Sequence, residues 1–202
     1  KSYLKECMDS VLNQTFKDFE FLIIDDCSTD GSKALIKSYK DNRIRLIENE
    51  KNLSQVRSLN IGLEHAACEY IARMDQDDIM ASGRLKRQVD FLEKNRDISV
   101  VGTWGEVIDE NGRVFTRACL PLRNEEIVGS VLFCGYFLMH PSVAFRKDAV
   151  MDAGKYNEKI SFSEDYNLWT RLLLKKHKLA NIPAYLIKFR YHNKSSSRRF
   201  PD

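Results

Sequence analysis

The sequence predicts an α/β protein with a mostly parallel central sheet. Short apolar runs alternate with longer stretches in which apolar residues recur at helical spacing, as in βαβ units. Two of the apolar runs lead directly into acidic residues, and the first of them is continuous, which is typical of a strand buried on both faces. The 202 residues are 43% apolar and 30% charged, a composition that indicates one globular domain.

The first half of the chain predicts a regular alternation of helices and strands. Apolar residues between Leu4 and Leu12 lie at helical spacing, so a helix is expected first. The next helices are expected to end near residues 39, 67 and 94. The predicted strands are residues 19–24, 43–47, 69–74 and 98–103. Because a parallel α/β sheet normally begins with a strand, we expect the chain to be truncated at its N-terminus.

The second half is less regular. Asn111 and Gly112 separate two strand-like segments and predict a β-hairpin. Helices are predicted at 124–133 and 162–174, and strands at 142–145 and 184–191. The polar tail, residues 195–202, is predicted to be mobile.

Composition and charge argue against several classes of protein. The net charge of +3 is small, so no nucleic-acid partner is expected. No apolar run approaches the roughly 18 to 20 residues that span a bilayer. The cysteines show no C-x-x-C pair and predict free thiols in a reducing cytosol; they are Cys7, Cys27, Cys68, Cys119 and Cys134.

Two clusters of acids follow predicted strands: Asp25-Asp26, and Asp75 with Asp77 and Asp78. In open α/β sheets, ligands bind in the crevice beyond the carboxyl ends of the strands. Adjacent carboxylates repel one another unless a cation compensates them. These clusters therefore favour a divalent cation and a diphosphate, although solvated loop acids that cap helices remain an alternative.

Three further positions are candidates for chemistry. Glu164 and Asp165 open a predicted helix after Ser163, where acids suit the helix dipole, and one of them could equally be a general base. His192 follows the last predicted strand and could complete a metal shell or contact a phosphate. His140, before Pro141, is more typical of a structural hydrogen-bonding histidine.

Five segments, taken in order, resemble bacterial family-2 inverting glycosyltransferases, and together they cover nearly the whole chain. They are residues 3–32 with Asp25-Asp26-Cys27-Ser28, Asn60-Ile61-Gly62, residues 70–78 (Tyr-Ile-Ala-Arg-Met-Asp-Gln-Asp-Asp), His140-Pro141-Ser142-Val143, and residues 163–171. The resemblance implies a single GT-A domain over 1–202, with a nucleotide-sugar half at 1–80 and an acceptor half at 81–202. Its smaller acceptor region would be mixed or antiparallel.

The resemblance also implies roles for individual residues on the donor side. Asp26 would bind the nucleobase, usually uracil, and Asp25 would support that loop. Arg57 would lie near the nucleotide, and Asp75 at the ribose and the metal. Cys27 departs from the family, which usually has Gly at this position, and the family's opening strand and turn are missing here.

On the metal and acceptor sides, Asp77 would be the principal ligand of Mn²⁺ or Mg²⁺, with Asp78 beside it. His192 would approach the metal or the diphosphate. Asp165 would be the catalytic base, and Glu164 would lie next to it near the acceptor.

The implied reaction is metal-dependent, inverting transfer of a sugar from a nucleoside-diphosphate sugar, usually a UDP-sugar, to an acceptor hydroxyl. The implied setting is bacterial surface-glycan synthesis with a glycan or lipid-linked acceptor. Localisation is expected to be cytoplasmic, with attachment to the inner face of the membrane left open. The alternatives are a sugar-nucleotidyltransferase and a non-catalytic module that binds nucleotide sugars or glycans.

Overall fold

The computed structural model describes residues 3–133, 135–160 and 162–193. Cys134 and the predicted mobile tail lie outside these ranges. The helices are α1 (Leu4–Leu12), α2 (Ser32–Ser38), α3 (Gln55–His65), α4 (Arg84–Lys94), α5 (Asn124–Phe133), α6 (Lys147–Asp152) and α7 (Glu164–Leu174). The strands are β1 (Phe21–Asp25), β2 (Ile44–Glu48), β3 (Tyr70–Ala72), β4 (Ile79–Met80), β5 (Ile98–Ile108), β6 (Val114–Ala118), β7 (Ala144–Arg146) and β8 (Lys178–Arg190).

The strands form two sheets. β1 and β2 pair in parallel, with Asp25 opposite Glu48. The larger sheet has the order β3, β7, β5, β8, β4, and β6 forms a hairpin with β5. Among the described residues of this sheet, only β5 and β8 pair in parallel, and the other pairs are antiparallel.

The α/β class is therefore confirmed, whereas the expectation of a mostly parallel sheet needs correction, because the larger sheet is mixed. Apolar periodicity reveals that a segment is a strand, but strand direction depends on the path of the connections. The hairpin predicted at Asn111-Gly112 supplies one of the antiparallel pairs, and Gly112 adopts the positive φ of +82° that this turn requires.

The main core lies between α7 and the larger sheet. Leu168, Trp169 and Leu172 of α7 are buried against Val100 of β5 and Phe145 of β7. Burying each large apolar side chain contributes about 1.5–3 kcal/mol, so this face fixes α7 firmly on the sheet. The first turn of α7, which carries the acids predicted to act in catalysis, is thereby held in place.

The smaller sheet is less buried than its sequence predicts. The continuous apolar run in β1 predicts a strand buried on both faces, yet Phe21 to Ile24 are only half-buried. The three residues of β3 are also half-buried. Residues of both strands line one cleft, and no strand lies between them in the part of the chain that the structure describes.

Close packing at the centre of the larger sheet depends on Gly102 of β5. A Cβ at this position would overlap Asn181 Oδ1 and would lie 2.8 Å from Leu138 Cδ2. The Asn181 side chain is not free to swing away, because its Nδ2 donates to the carbonyl oxygens of Pro121 and Phe137 at 2.6 and 2.9 Å. We expect Gly102→Ala to lower the free energy of unfolding by about 1–3 kcal/mol in urea titrations.

Gly129 in α5 provides the matched control, since a Cβ there meets nothing within 4 Å. Gly129→Ala should raise the free energy of unfolding by about 0.5–1 kcal/mol, because alanine loses less backbone entropy in a helix. Equal stability of Gly102→Ala and the unchanged protein would contradict the packing argument.

Candidate active site

A cleft of about 1520 Å³ runs along β1 and β3, continues beyond their carboxyl ends and reaches the start of α7. Strand ends of an α/β fold point their following loops into such a crevice. The cleft brings together acids from three separate stretches of the chain. Beyond the strand ends and at the start of α7 they are Asp25, Asp26, Asp75, Asp77, Glu164 and Asp165, and Asp18, Glu20 and Glu69 line the cleft at the opposite ends of the two strands.

Asp26 organises the loop that enters α3. Its Oδ1 accepts hydrogen bonds from Asn49 Nδ2 at 2.9 Å and from the Leu53 backbone N–H at 2.8 Å. Its Oδ2 accepts from the Ser54 backbone N–H at 3.0 Å. Ser54 has φ 88° and ψ 157°, a region that strongly favours glycine, so this hydrogen bond helps to hold a strained residue.

Asp25 is buried beneath the loop that leads from β1 to α2. Its Oδ2 accepts from the Ser28 backbone N–H at 3.1 Å and lies 3.6 Å from Lys33 Nζ. Cys27 between them has φ 62°, the left-handed region in which glycine carries no Cβ penalty. This left-handed backbone is a physical reason for glycine at this turn. Cys27 adopts the same backbone conformation at some cost in strain.

Asp75 is paired with Arg73. The buried guanidinium donates from Nη1 to Asp75 Oδ2 at 2.5 Å, and its Nε is buried without a hydrogen-bond partner. Burial raises the pKa of Asp75, Arg73 opposes that effect, and the neighbouring carboxylates of Asp77 and Asp165 reinforce it. A cation in the cleft would relieve this accumulation of negative charge.

Asp77 and His192 meet at the edge of the cleft. His192 Nε2 lies 2.9 Å from Asp77 Oδ2, although the two residues are far apart in the sequence. Arg190 Nε donates to the Asp77 carbonyl oxygen at 2.9 Å and ties the end of β8 to this loop. The structure thus brings together the carboxylate and the imidazole that the sequence assigned to the metal.

Asp78 departs from its expected place beside the metal. Its side chain is fully buried and does not line the cleft, and its Oδ1 accepts from the Arg190 backbone N–H at 2.8 Å. Burial, together with the Asp75 carboxylate, raises the pKa of Asp78 to about 8. Through this hydrogen bond Asp78 links the start of β4, which follows it directly, to the end of β8.

Arg57 also departs from expectation. It is exposed on α3 and does not line the cleft. The face of α3 that packs against the core carries Val56, Asn60 and Leu63, and Arg57 lies on a different face of the helix. Arg57 is therefore not positioned to contact a nucleotide in this structure.

Glu164 and Asp165 occupy the first turn of α7, after a left-handed Ser163 with φ 57° that makes no side-chain cap. Asp165 Oδ1 accepts from the Tyr166 backbone N–H at 2.7 Å, and its Oδ2 lies 4.0 Å from His140 Nδ1. Burial is the main cause that raises the pKa of Glu164, and the Asp165 charge adds to it.

The residues fit a divalent cation that is completed by a substrate. Within residues 3–133, 135–160 and 162–193, no three His, Cys, Asp or Glu side chains form a ready-made metal cluster. Asp77 and His192 offer an oxygen and a nitrogen donor, with Asp75 nearby. Mg²⁺ is commonly held by one or two carboxylates, and substrate phosphates and water supply its other ligands.

Comparison with known proteins identifies the family. The sequence profile of Glycosyl transferase family 2 matches residues 1–154. The chain belongs to glycosyl transferase family 2. The predicted enzyme class, a glycosyltransferase, is thereby confirmed.

Relatives from archaea and bacteria support this membership. Over 199 residues, the family-2 chain is 35% identical to an uncharacterised glycosyltransferase of Methanocaldococcus jannaschii, covering 97% of this chain and 68% of the relative. It is 35% identical to the putative glycosyltransferase EpsE of Bacillus subtilis, covering 97% and 71%. It is 32% identical to the O-antigen biosynthesis glycosyltransferase WbnJ of Escherichia coli, covering 97% and 77%.

Two solved structures share the fold. TarS of S. aureus in complex with UDP-GlcNAc matches with a TM-score of 0.80 at 18% identity, covering 100% of this chain and 58% of TarS. The mannosyltransferase PcManGT of Pyrobaculum calidifontis, in complex with GDP-Man and Mn²⁺, matches with a TM-score of 0.72 at 16% identity, covering 96% and 54%. The expected GT-A fold is confirmed, and this chain spans little more than half of either protein.

Proposed function

We propose that this family-2 domain transfers a sugar from a UDP-sugar to an acceptor hydroxyl with inversion, in the presence of a divalent cation. One observation carries the proposal. Acids from the end of β1, from the loop after β3 and from the start of α7 line a single cleft. A nucleobase N–H, a cation and an acceptor hydroxyl each need one of these groups.

The donor's nucleotide is assigned to the end of the cleft beside Asp25 and Asp26. Asp26 already accepts three hydrogen bonds, and a carboxylate has about four acceptor positions, so one remains for a nucleobase N–H. Support for uridine comes from TarS with UDP-GlcNAc, whereas PcManGT was solved with GDP-Man. Arg57 takes no part in this proposal because it is exposed outside the cleft.

Asp77 and His192, with Asp75 nearby, are the residues that would hold Mn²⁺ or Mg²⁺. When bound, the cation would neutralise the diphosphate and stabilise it as a leaving group. Arg73 keeps the Asp75 carboxylate in place through the ion pair at 2.5 Å. Asp78 is fully buried, so we assign it to holding this loop in place and not to binding the cation.

Asp165 acts as the general base. One of its carboxylate oxygens accepts the proton of the acceptor hydroxyl while the hydroxyl oxygen attacks the anomeric carbon. The bond between that carbon and the diphosphate oxygen breaks on the opposite side, so the configuration inverts and no enzyme nucleophile is needed. Glu164 beside Asp165 is assigned to acceptor contact.

The cellular setting is proposed from relatives. WbnJ is named for O-antigen biosynthesis, and a 30% identical relative from Escherichia coli is named as a galactosyltransferase acting on GlcNAc-diphosphoundecaprenol. A surface glycan or a lipid-linked sugar is accordingly the proposed acceptor, with the reaction in the cytoplasm at the membrane face. None of the described helices is long and apolar enough to cross a bilayer.

Product analysis tests this function. The protein is incubated with UDP-glucose, UDP-galactose, UDP-GlcNAc and GDP-mannose in turn, each with a panel of acceptor sugars and with Mn²⁺ or EDTA, and the nucleotides are separated by chromatography. We expect release of UDP from one UDP-sugar with Mn²⁺ and its suppression by EDTA. Release of pyrophosphate in a parallel incubation with UTP and a sugar 1-phosphate would indicate a nucleotidyltransferase. Donor binding without release of a nucleotide, with every acceptor sugar tried, would indicate a binding module.

A further inference from the structure

His140 lies against Asp165 without having any role in the chemistry above. It belongs to a 3₁₀ turn, His140–Ser142, and its side chain is 9% exposed. The ring joins two groups: Nδ1 is 4.0 Å from Asp165 Oδ2, and Nε2 is 2.9 Å from the Tyr156 hydroxyl. A buried imidazole between a base and a phenol suggests a function for the His140-Pro141-Ser142-Val143 segment.

The two contacts select one tautomer of His140. If Nε2 carried the proton, the Nδ1 lone pair would face the negative Asp165 carboxylate, which is unfavourable. If Nδ1 carries it, the Tyr156 hydroxyl donates to Nε2 and the Nδ1–H points towards the carboxylate. Burial raises the pKa of Tyr156, so its hydroxyl stays protonated and can donate.

The ring is held by a rigid frame. Asn60 of α3 fixes the backbone of Tyr156 in both directions: Nδ2 donates to the Tyr156 carbonyl oxygen at 2.9 Å, and Oδ1 accepts from the Tyr156 N–H at 3.0 Å. Trp169 of α7 packs at right angles to the imidazole, with ring centroids 6.0 Å apart. Groups fixed in this way can orient a neighbour with little entropic cost.

His140 is also neutral. Burial and the nearby Arg73 guanidinium lower the pKa of His140 well below its ordinary value. A neutral donor can orient the Asp165 carboxylate, whereas a cation at the same place would stabilise the carboxylate charge and weaken it as a base. The 4.0 Å gap exceeds a hydrogen bond, and catalytic hydrogen bonds often tighten only when substrate binds.

We propose that His140, whose Nε2 accepts from Tyr156 and whose Nδ1–H faces Asp165, is a positioning residue that aims the Asp165 carboxylate at the acceptor hydroxyl. The chain of contacts runs from Asn60 through Tyr156 and His140 to Asp165. It links three segments that the sequence resemblance singled out, and it gives a task to the two of them that are not otherwise in the reaction. The inference rests on the proposed function, in which Asp165 is the base.

Three variants test the positioning role through the release of UDP from the preferred UDP-sugar with Mn²⁺. His140→Leu removes the donor. His140→Asn keeps a neutral N–H donor near the position of Nδ1, and Tyr156→Phe removes the hydroxyl that donates to Nε2 and holds the ring. We expect kcat to fall about 10- to 100-fold in His140→Leu and less in the other two, because small errors in orientation cost rate. UDP affinity from calorimetry should be unchanged in all three.

A merely structural role predicts a different pattern. In that case, rate losses would follow losses of Tm, and His140→Asn would recover no activity relative to His140→Leu. A folded His140→Leu protein with at least half of the normal kcat would overturn the proposal. If Asp165→Asn were fully active, the assignment of Asp165 as the base would be wrong, whatever the result for His140→Leu. If Asp165→Asn were inactive and His140→Leu fully active, only the positioning role would fail.

NMR of the imidazole nitrogens gives a test that needs neither activity nor a variant that folds. In the unchanged protein at neutral pH, His140 should show a protonated Nδ1 and an unprotonated Nε2. An Nε2–H tautomer or a fully protonated ring in the unchanged protein would overturn the proposal.

Discussion

Asp165→Asn is expected to lower kcat for sugar transfer by about 10³-fold, in the range found when a general base is lost. Asparagine preserves the size of the side chain and its hydrogen bond with the Tyr166 backbone N–H, which is 2.7 Å long in the structure. What it removes is the oxygen that can take a proton. Steady-state release of UDP with Mn²⁺ measures the rate, and calorimetry with UDP should show unchanged affinity.

The matched control is Glu125→Gln. Glu125 is likewise an acid in the first turn of a helix, α5, but it is exposed and does not line the cleft. Its replacement should leave kcat within about twofold, because surface substitutions away from a site usually have small effects. Near-normal transfer by Asp165→Asn would mean that another group accepts the proton, and Glu164 would be the next residue to replace.

Much of the fold could be predicted because burial leaves a periodic trace in the sequence. The helix expected at 124–133 matches α5 in both bounds, and β1, β2 and β3 lie within about two residues of their predicted positions. The predicted hairpin is also confirmed. β4 and α6 were not predicted, since elements of two and six residues are too short to show a period.

The last strand shows why some boundaries could not be predicted. The sequence predicts a start at residue 184. Pro183, just before it, lacks an N–H, and proline rarely lies inside a central strand. In the structure β8 begins at Lys178 and passes through Pro183, where the pairing with β5 shifts register between Thr103 and Trp104. The irregularity accommodates the proline, and no local feature of the sequence reveals it.

The candidate site was predictable to the extent that strand ends determine it. Acids that follow β1 and β3 converge because the ends of these strands border the same cleft. The sequence could not tell which acid of the Asp75–Asp78 run turns inward, and it placed Asp78 at the metal. It also gave no place to Arg73 or Tyr156. An arginine at the end of a strand that is predicted to be buried needs a counterion, and that requirement could have indicated the pair with Asp75.

Asp77→Asn is expected to weaken Mn²⁺-dependent binding of UDP by at least about 100-fold, since replacing residues that only orient a metal ligand already costs 10- to 100-fold. The amide keeps the shape of the side chain and can still contact His192, which lies 2.9 Å from Asp77 Oδ2. It lacks the charge that attracts a hard cation. Calorimetry with UDP in Mn²⁺ and in EDTA separates the two contributions.

Asp90→Asn removes the same charge from the exposed face of α4, where Asp90 pairs with Lys86, and it controls for net charge. It should leave UDP affinity unchanged in both buffers. In Asp77→Asn, the affinity for UDP in EDTA should also be unchanged, because the nucleotide end of the cleft is intact. Only the increase in UDP affinity on adding Mn²⁺ should disappear. A normal gain would exclude Asp77 as a ligand. A loss in EDTA as well would mean that Asp77 acts on the nucleotide directly or shapes the loop, and the cation would then have to be assigned elsewhere.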